Sequence, residues 1–546
     1  MFATNYKKLL CFITIGIFLL TIIPNNSAFL LNKESEKQII IGLSENIDVD
    51  FVKYVAREIS SVYKNYCRAR EYGTEGERVA AKILERIWRD NISDAGIMLD
   101  PIRETYFKRN VTDYSLYISD EEIPKSESFP IPSVSEDYNS YGIGLAQVLK
   151  IPDFIYRIAL SKQKTITPLY KKIYLFNPLI KTFFEKIMFK NIQKTAHTLD
   201  VNPNLPSMYW LDYQKMISYK SYDREESVKK VVNTLYDYYD DYDPNIYSFL
   251  IPRGIIYTDI NKDTVFMNPP YNFCDDSSSS SPLKGFSLPG IVLNASFAPI
   301  LDDPDLRVSF MIESELIYEI DSYNVIGEIL GENDDVIVIG AHYDSWWGQC
   351  IIDNAIGVGV VWAIAKYFAE NNILPKYTLK FVAFCGEEYG CQGSRYYVDK
   401  YIDEENENVR YMINVDTVAY RPNYEFYDKS DLSFNIWQYP DDTTITNKIQ
   451  SIVNNFNYED ISGGYPISIK GKDTSGIFMT DSLSFAGETE FGVINFDKGN
   501  KDVAWHFYHR TGENYTKGDT WDKLDEQDLN ACTNVILNIV EKFVND

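Results

Sequence analysis

Positive charge is in short supply in this chain. Across 546 residues, 53 Lys and Arg face 79 Asp and Glu, a formal net charge of −26. A surface of that sign repels phosphate backbones, and no basic recognition motif compensates, so nucleic acid is excluded as a partner while divalent cations are favoured. Long apolar runs are equally scarce. One extends from Leu9 to Ile23, and no later stretch reads as long and apolar enough to span a bilayer. Cysteine is sparse, with seven in all. Cys11 lies in the apolar run, and the pairing of Cys67, Cys274, Cys350, Cys385, Cys391 and Cys532 cannot be read from spacing. Cys385 and Cys391 are close enough for a local disulfide, and free buried thiols fit equally well. Apolar and aromatic residues are plentiful, at 45% and 15%. That excludes a disordered acidic tail, and the length leaves room for one large domain and at least one more.

The N-terminus has the form of a targeting segment. Lys7 and Lys8 precede the apolar run, and Pro24-Asn-Asn-Ser-Ala28 supplies small and turn-forming residues after it. Residues 1–28 are therefore expected to be a signal peptide, and the mature protein is expected to be secreted or otherwise extracytoplasmic. An uncleaved membrane tether is the alternative. Without it no stable membrane insertion is expected. Asn91, Asn110, Asn294 and Asn514 each begin an N-x-S/T triplet, which matters only in a host that glycosylates exported proteins.

From Val55 to about Asp90 the apolar spacing is helical, interrupted at Gly73-Thr-Glu-Gly76. The chain between Ile123 and about Tyr323 is rich in Tyr, Pro and Asn and contains the serine run 275–281, which reads as a loop tip. Residues 151–197 carry nine Lys and Arg against two acids, and the acidic, tyrosine-rich stretch 236–243 follows. The two read as solvated faces answering each other's charge. Beyond Tyr323 strand and helix signals alternate. Val336–Ile339, Leu379–Phe384, Tyr411–Val415 and Gly492–Phe496 are short apolar strands, and Ala355–Glu370 is a helix closed by Asn371, Asn372 and Pro375. Such alternation predicts an α/β fold built on a mostly parallel sheet, with sites beyond the carboxyl ends of its strands.

Those strand ends carry the chemistry. Gly340-Ala-His-Tyr-Asp-Ser345 follows the first strand, with Asp353-Asn354 at the start of the next helix. Gly386-Glu-Glu-Tyr-Gly390 follows the second, Asp416 ends the third, and Trp505-His-Phe-Tyr-His509 and Gly518-Asp-Thr520 stand near the C-terminus. Alone, each is bland: His342 reads as a structural histidine, Asp353 as a helix N-cap, and Glu387-Glu388 as a solvated pair. Together they bring imidazole and carboxylate, the donors zinc takes, to one sheet edge.

The segment resembles the di-zinc exopeptidases of peptidase family M28. The likeness is carried by GAHYDS at 340–345, DNAIG at 353–357, FCGEEYGCQGS at 384–394, NVDT at 414–417, DSLSF at 481–485 and FYH at 507–509, and it extends to Tyr72-Gly-Thr-Glu-Gly-Glu77. The resemblance implies two zinc ions per chain, His342 and Asp416 on one, Glu388 and His509 on the other, and Asp353 bridging. It also implies Glu387 as general base, Tyr508 as hydrogen-bond donor to the oxyanion, and Asp344 as the partner that orients the His342 imidazole. His506 competes with His509 for the last ligand place. Trp346, Trp347 and Cys350 are bulkier than the family pattern suggests and would narrow the pocket. Leu288-Pro-Gly-Ile-Val292 and Asn324-Val-Ile-Gly-Glu328 resemble the end of a protease-associated domain. The expected layout is thus residues 29–122 as the first part of a phosphorylase/hydrolase-like catalytic domain, 123–323 as a β-rich insert with added helices, and 324–546 as the main catalytic part. The function implied is that of an exported exopeptidase acting on peptides, an aminopeptidase first and a glutamate-carboxypeptidase-like enzyme as alternative. A glutaminyl cyclase would leave His342 and Asp416 unneeded, and an inactive receptor-like module would be expected to lack ligands. A homodimer is left open.

Overall fold

The computed structural model describes residues 47–66, 68–93, 96–131, 140–151, 207–212, 231, 252–258, 265–266, 289–303, 305–420, 435–440, 442–455, 468–469, 480–497, 507–512 and 517–545. The expected signal peptide, the basic and acidic stretches, the serine run, Cys67, Cys274 and His506 lie outside them.

Two helices open the described chain. In α1, Val49–Ser60, the Asp48 carboxylate accepts the Phe51 N–H at 2.9 Å, and Phe51, Val52, Val55, Ala56 and Ile59 form one buried face. In α2, Glu75–Asn91, Thr74 caps the Glu77 amide while the Glu77 carboxylate reaches back to the Gly73 N–H at 2.6 Å. This reciprocal cap explains why the helical pattern breaks at 73–76 and restarts.

Strands β1 (Ile97–Ile118) and β9 (Arg307–Ile329) pair antiparallel along almost their whole length. Between them in sequence lie β2 (Glu121–Glu122), β3 (Ser128–Ile131), β4 (Ser140–Lys150), β5 (Ser207–Asp212), β6 (Pro252–Thr258), β7 (Val265–Phe266) and β8 (Gly290–Leu293). After β9 come β10 (Asn333–His342), helix α3 (Ile356–Glu370), β11 (Tyr377–Phe384), β12 (Val409–Val415), β13 (Asn435–Tyr439), helix α4 (Thr443–Asn455), β14 (Ser468–Ile469), β15 (Gly492–Asp497), β16 (Arg510–Gly512), β17 (Lys517–Gly518) and helix α5 (Glu526–Val544). One sheet runs β14-β13-β15-β12-β10-β11-β9-β4-β5-β6-β8-β3, with β1 alongside β9. Its centre, β11-β10-β12-β15, is parallel, and the flanking β9 and β13 are antiparallel to it. The fold is mixed α/β. The expected boundary at residue 323 falls within the continuous strand β9.

The central strands are apolar on both faces, and α3 explains why. Nearly every residue from Ile351 to Phe368 is buried, and Trp88 of α2 packs edge-on against Trp362 of α3 at 5.8 Å. Residues 351–370 are in fact long and apolar enough to cross a membrane, contrary to expectation from sequence, but they are 94% buried as an irregular turn followed by the core helix α3. Cys350, Cys385, Cys391 and Cys532 are free and buried, so the local disulfide between 385 and 391 is not formed. Asn294 is buried as well, with its amide committed to Glu127, which removes it as a glycan acceptor.

Candidate metal centre

The carboxyl ends of β10, β11 and β12 converge. His342 ends β10, Glu387 and Glu388 form a short turn three residues past β11, and Asp416 follows β12 directly. Asp353 sits between β10 and α3 in an irregular turn, with φ −118° and ψ 89°. It does not cap the helix, whose N-cap is Ala355. His509 enters from the C-terminal side with φ +52°.

Asp353 lies at the middle. One carboxylate oxygen is 3.2 Å from His342 Nε2 and the other 2.9 Å from His509 Nε2. His342 Nε2 is 3.4 Å from Asp416, and His509 Nε2 is 3.0 Å from Glu388. Two donor triads result, His342/Asp353/Asp416 and Asp353/Glu388/His509, each within 4.8 Å and wholly buried. Glu387 is half-buried beside them and groups with His342 and Glu388. Tyr508 is half-buried and stacks on the His509 ring at 3.7 Å.

The supporting contacts are specific. Asp344 is fully buried with an oxygen 3.5 Å from His342 Nδ1, and its two oxygens accept the Glu387 and Glu388 N–H groups at 3.0 and 3.3 Å. The carboxylate thus ties the imidazole to the Glu387–Glu388 turn. That turn requires Gly386, whose φ is +66° and where a Cβ would stand 2.8 Å from the Tyr72 ring. Trp346 donates its indole N–H to Glu388 Oε2 at 2.7 Å and packs against Tyr389 and His509. The two bulky tryptophans therefore build the wall of the site: Trp347 donates to Glu71, which also accepts from Tyr389 and Arg68. Arg70, fully buried, donates to the carbonyls of Tyr343, Gln349 and Cys350.

Electrostatics point to a cation. Burial opposes charge on His342, yet the Glu387 field and the Asp344, Asp353 and Asp416 contacts push it well above its ordinary value. Burial likewise opposes charge on His509, but Glu388 and Asp353 raise it to about 9. Against burial, the two imidazoles hold Asp353 far below the usual carboxylate range. Burial lifts Glu388 to about 7 and Glu387 well above its ordinary value, with neighbouring carboxylates adding to both. Asp481 is fully buried and pushed up to about 7 for the same reason. Protons on the imidazoles do here what a divalent ion would do better. His342 Nε2, Asp353 Oδ2 and Asp416 Oδ1 have close charged neighbours but no well-directed hydrogen bond, and Glu388 Oε1 has no hydrogen-bond partner. Nitrogen and oxygen donors in this set suit zinc.

The structure thus brings together His342, Asp344, Asp353, Glu387, Glu388, Asp416, Tyr508 and His509. Sequence reasoning missed Arg70, Glu71 and Asp519 as supports, and left Asp481 without a role. Asp519 accepts the N–H groups of Ile352 and Asp353 at 2.8 and 2.9 Å. Asp519 lies in the stretch 518–520 already singled out, whereas Arg70 and Glu71 stand just before the stretch 72–77.

A buried cluster of carboxylates and imidazoles at the carboxyl edge of a mixed α/β sheet defines a metal-dependent protein class. Residues 324–540 match the model of peptidase family M28. That segment, which carries the cluster, is similar to the peptidases of the family. Among curated proteins it is 37% identical to carboxypeptidase Q of Xenopus laevis over 81 residues, 14% of this chain and 17% of that protein. It is 33% identical to leucine aminopeptidase 2 of Trichophyton equinum over 119 residues, 21% of this chain and 23% of that protein. The matched segments thus span less than a quarter of either relative. The fold is shared with a zinc aminopeptidase from Bacillus subtilis (TM-score 0.55, 14% identity, 92% of this chain and 96% of that one). It is shared also with a peptidase M28 precursor from Shewanella amazonensis (TM-score 0.56, 16% identity, 94% and 97%).

Proposed function

We propose that the chain is an exported zinc exopeptidase that removes residues from the amino terminus of peptides, using two zinc ions and Glu387 as general base. The observation that carries the reading is the pair of donor triads sharing Asp353, with Glu387 beside them and outside the Asp353 pairs. His342 and Asp416 would hold one ion, Glu388 and His509 the other, and Asp353 both. When bound, the ions supply an acidified water and a polarised substrate carbonyl. The rest falls to the chain. Glu387, as a carboxylate whose proton affinity burial raises, takes the water's proton and passes it to the leaving amine. Asp344 fixes the Glu387 backbone so that this transfer has one geometry. Tyr508, which burial and nearby carboxylates keep neutral, donates its O–H to the developing oxyanion.

Charge favours the amino end of the substrate. Asp344, Asp353, Glu387, Glu388, Asp416, Asp481 and Asp519 cluster here, and the buried Arg70 directs its donors to backbone carbonyls. Two zinc ions leave such a site negative, which suits an α-ammonium group and repels a terminal carboxylate. The carboxypeptidase reading retains the support of the carboxypeptidase Q likeness. We also propose that residues 123–323 are an insert of the protease-associated kind, on the strength of the parallel run β4-β5-β6-β8. Residues 1–28 would direct export.

The test is to assay the purified chain on aminoacyl anilides and on N-blocked dipeptides, before and after chelation and zinc restoration, beside Glu387→Ala. Zinc-dependent cleavage of the anilides, lost in Glu387→Ala, is expected. Cleavage only of blocked dipeptides would make it a carboxypeptidase, and cleavage of neither by zinc-replete protein would refute the exopeptidase reading.

A further inference from the structure

We propose that Asp519 is a positioning residue for the metal centre: it sets the bridging carboxylate of Asp353 in register with the arm that carries His509. The inference rests on the two-metal reading above and adds a residue to it.

The backbone around Asp353 has no regular structure to hold it. Cys350 lies at φ +45°, Asp353 at φ −118° and ψ 89°, and Asn354 at φ −134° and ψ 36°. The amides of Ile352 and Asp353 instead point at one side chain, the Asp519 carboxylate, which takes one in each oxygen at 2.8 and 2.9 Å. Asp519 is almost wholly buried. Placing a carboxylate there without a salt bridge is costly, and burial accordingly lifts it to about 7. The same loop is held by Arg70 as well, which donates to the carbonyls of Gln349 and Cys350.

The second observation concerns what Asp519 is attached to. It follows β17, which pairs with β16, and β16 begins directly after His509. Gly518 makes the approach feasible: its φ is +94°, and a Cβ would fall 2.0 Å from the Arg510 carbonyl oxygen. One short hairpin therefore joins His509 to the carboxylate that orients Asp353, and Asp353 in turn faces both imidazoles. On its other edge β16 pairs with β7, so residues 265–266 brace the same hairpin. A shift of Asp519 would move the shared ligand relative to His509 without touching His342, Glu388 or Asp416.

Asp519→Asn keeps the size but turns an amide donor toward one of the two backbone N–H groups. In the full chain, chelator competition for zinc, metal content, the visible spectrum of the cobalt-substituted protein and the melting temperature of the metal-free form are measured together. Zinc affinity is expected to fall about 10- to 100-fold, with an altered cobalt spectrum and kcat reduced more than KM. Asp519→Glu, which keeps the charge, is expected to recover part of that affinity. An Asn variant with wild-type zinc affinity and cobalt spectrum would overturn the proposal, as would a lower metal-free melting temperature with unchanged affinity. If Asp519→Asn does not fold, an Asp519→Ser variant, too short to accept from both amides, with wild-type affinity and spectrum overturns it equally. Failure of the wild-type chain to bind zinc would instead remove the two-metal reading, before any variant is compared.

Discussion

Removing the metal should make stability fall as pH rises. In the zinc-free protein the ordinary value of His509 is raised from 6.5 to about 9, so between these values the folded state holds a proton that the unfolded chain has released. Stability from that proton is complete below pH 6.5 and is lost as pH rises through 9. Glu388, Asp481 and Asp519 are each lifted to about 7, and for a raised carboxylic acid the sign is the same: stability present below the ordinary value is lost as pH climbs through 7. Asp353 alone runs the other way, and its window lies far below neutrality. Because His509 and Glu388 share one contact, the two are counted once. A shift of the size seen for His509 corresponds to about 3 kcal/mol, and both groups are buried, so solvent screening takes little from it. For a chain of this size that loss lowers the melting temperature by roughly 3 °C between pH 6 and 9. Zinc replaces the protons as counter-charge, so the zinc-replete protein should change much less over the same range. Differential scanning calorimetry of both forms at pH 6, 7.5 and 9 reads the difference. A metal-free melting temperature that stays level or rises with pH would refute the reasoning.

Other perturbations have definite expected outcomes. His509→Ala should bind one zinc ion per chain and His506→Ala two, by metal analysis after dialysis; the reverse result would move the ligand to His506. Trp346→Phe removes the indole donor to Glu388 while keeping an aromatic wall, and should weaken zinc binding by about tenfold in chelator competition. Glu71→Gln leaves Arg68 without its buried partner and disturbs the Trp347 and Tyr389 contacts, at a cost of about 3 kcal/mol in urea unfolding. A change below about 1 kcal/mol would show that this hub contributes little.

The parts of this molecule legible in sequence are those that short-range patterns determine. The runs at 336–339, 379–384, 411–415 and 492–496 lie within β10, β11, β12 and β15, because strands buried on both faces must be continuously apolar. The expected helix start at Ala355 is one residue from that of α3, and Asn371 is its C-cap. The candidate ligands His342, Glu388, Asp416 and His509 were legible because they sit within a few residues of strand ends, and Asp353 because it stands just ahead of α3. Arg70, Glu71 and Asp519 were not, because their partners are hundreds of residues away along the chain. Charged residues in such places look like surface until a fold buries them. The long pair β1 and β9 escaped for a related reason: its partners are joined by nearly the whole insert. Trp346 and Trp347 were noticed as intruders in the pocket, yet their N–H groups show them to be donors that hold the carboxylates.

The hairpin after His509 also bears on the order in which the protein is made. His342, Asp353, Glu388 and Asp416 leave the ribosome well before His509, and the strand at 265–266 waits longer still for its partner at 510–511. Until the last few dozen residues emerge, the nascent chain holds a carboxylate cluster that lacks one imidazole and the Asp519 strut. On the proposed two-metal reading, the site of the second ion is therefore completed only near the end of synthesis, and a chain stalled near residue 500 would be unable to finish its centre.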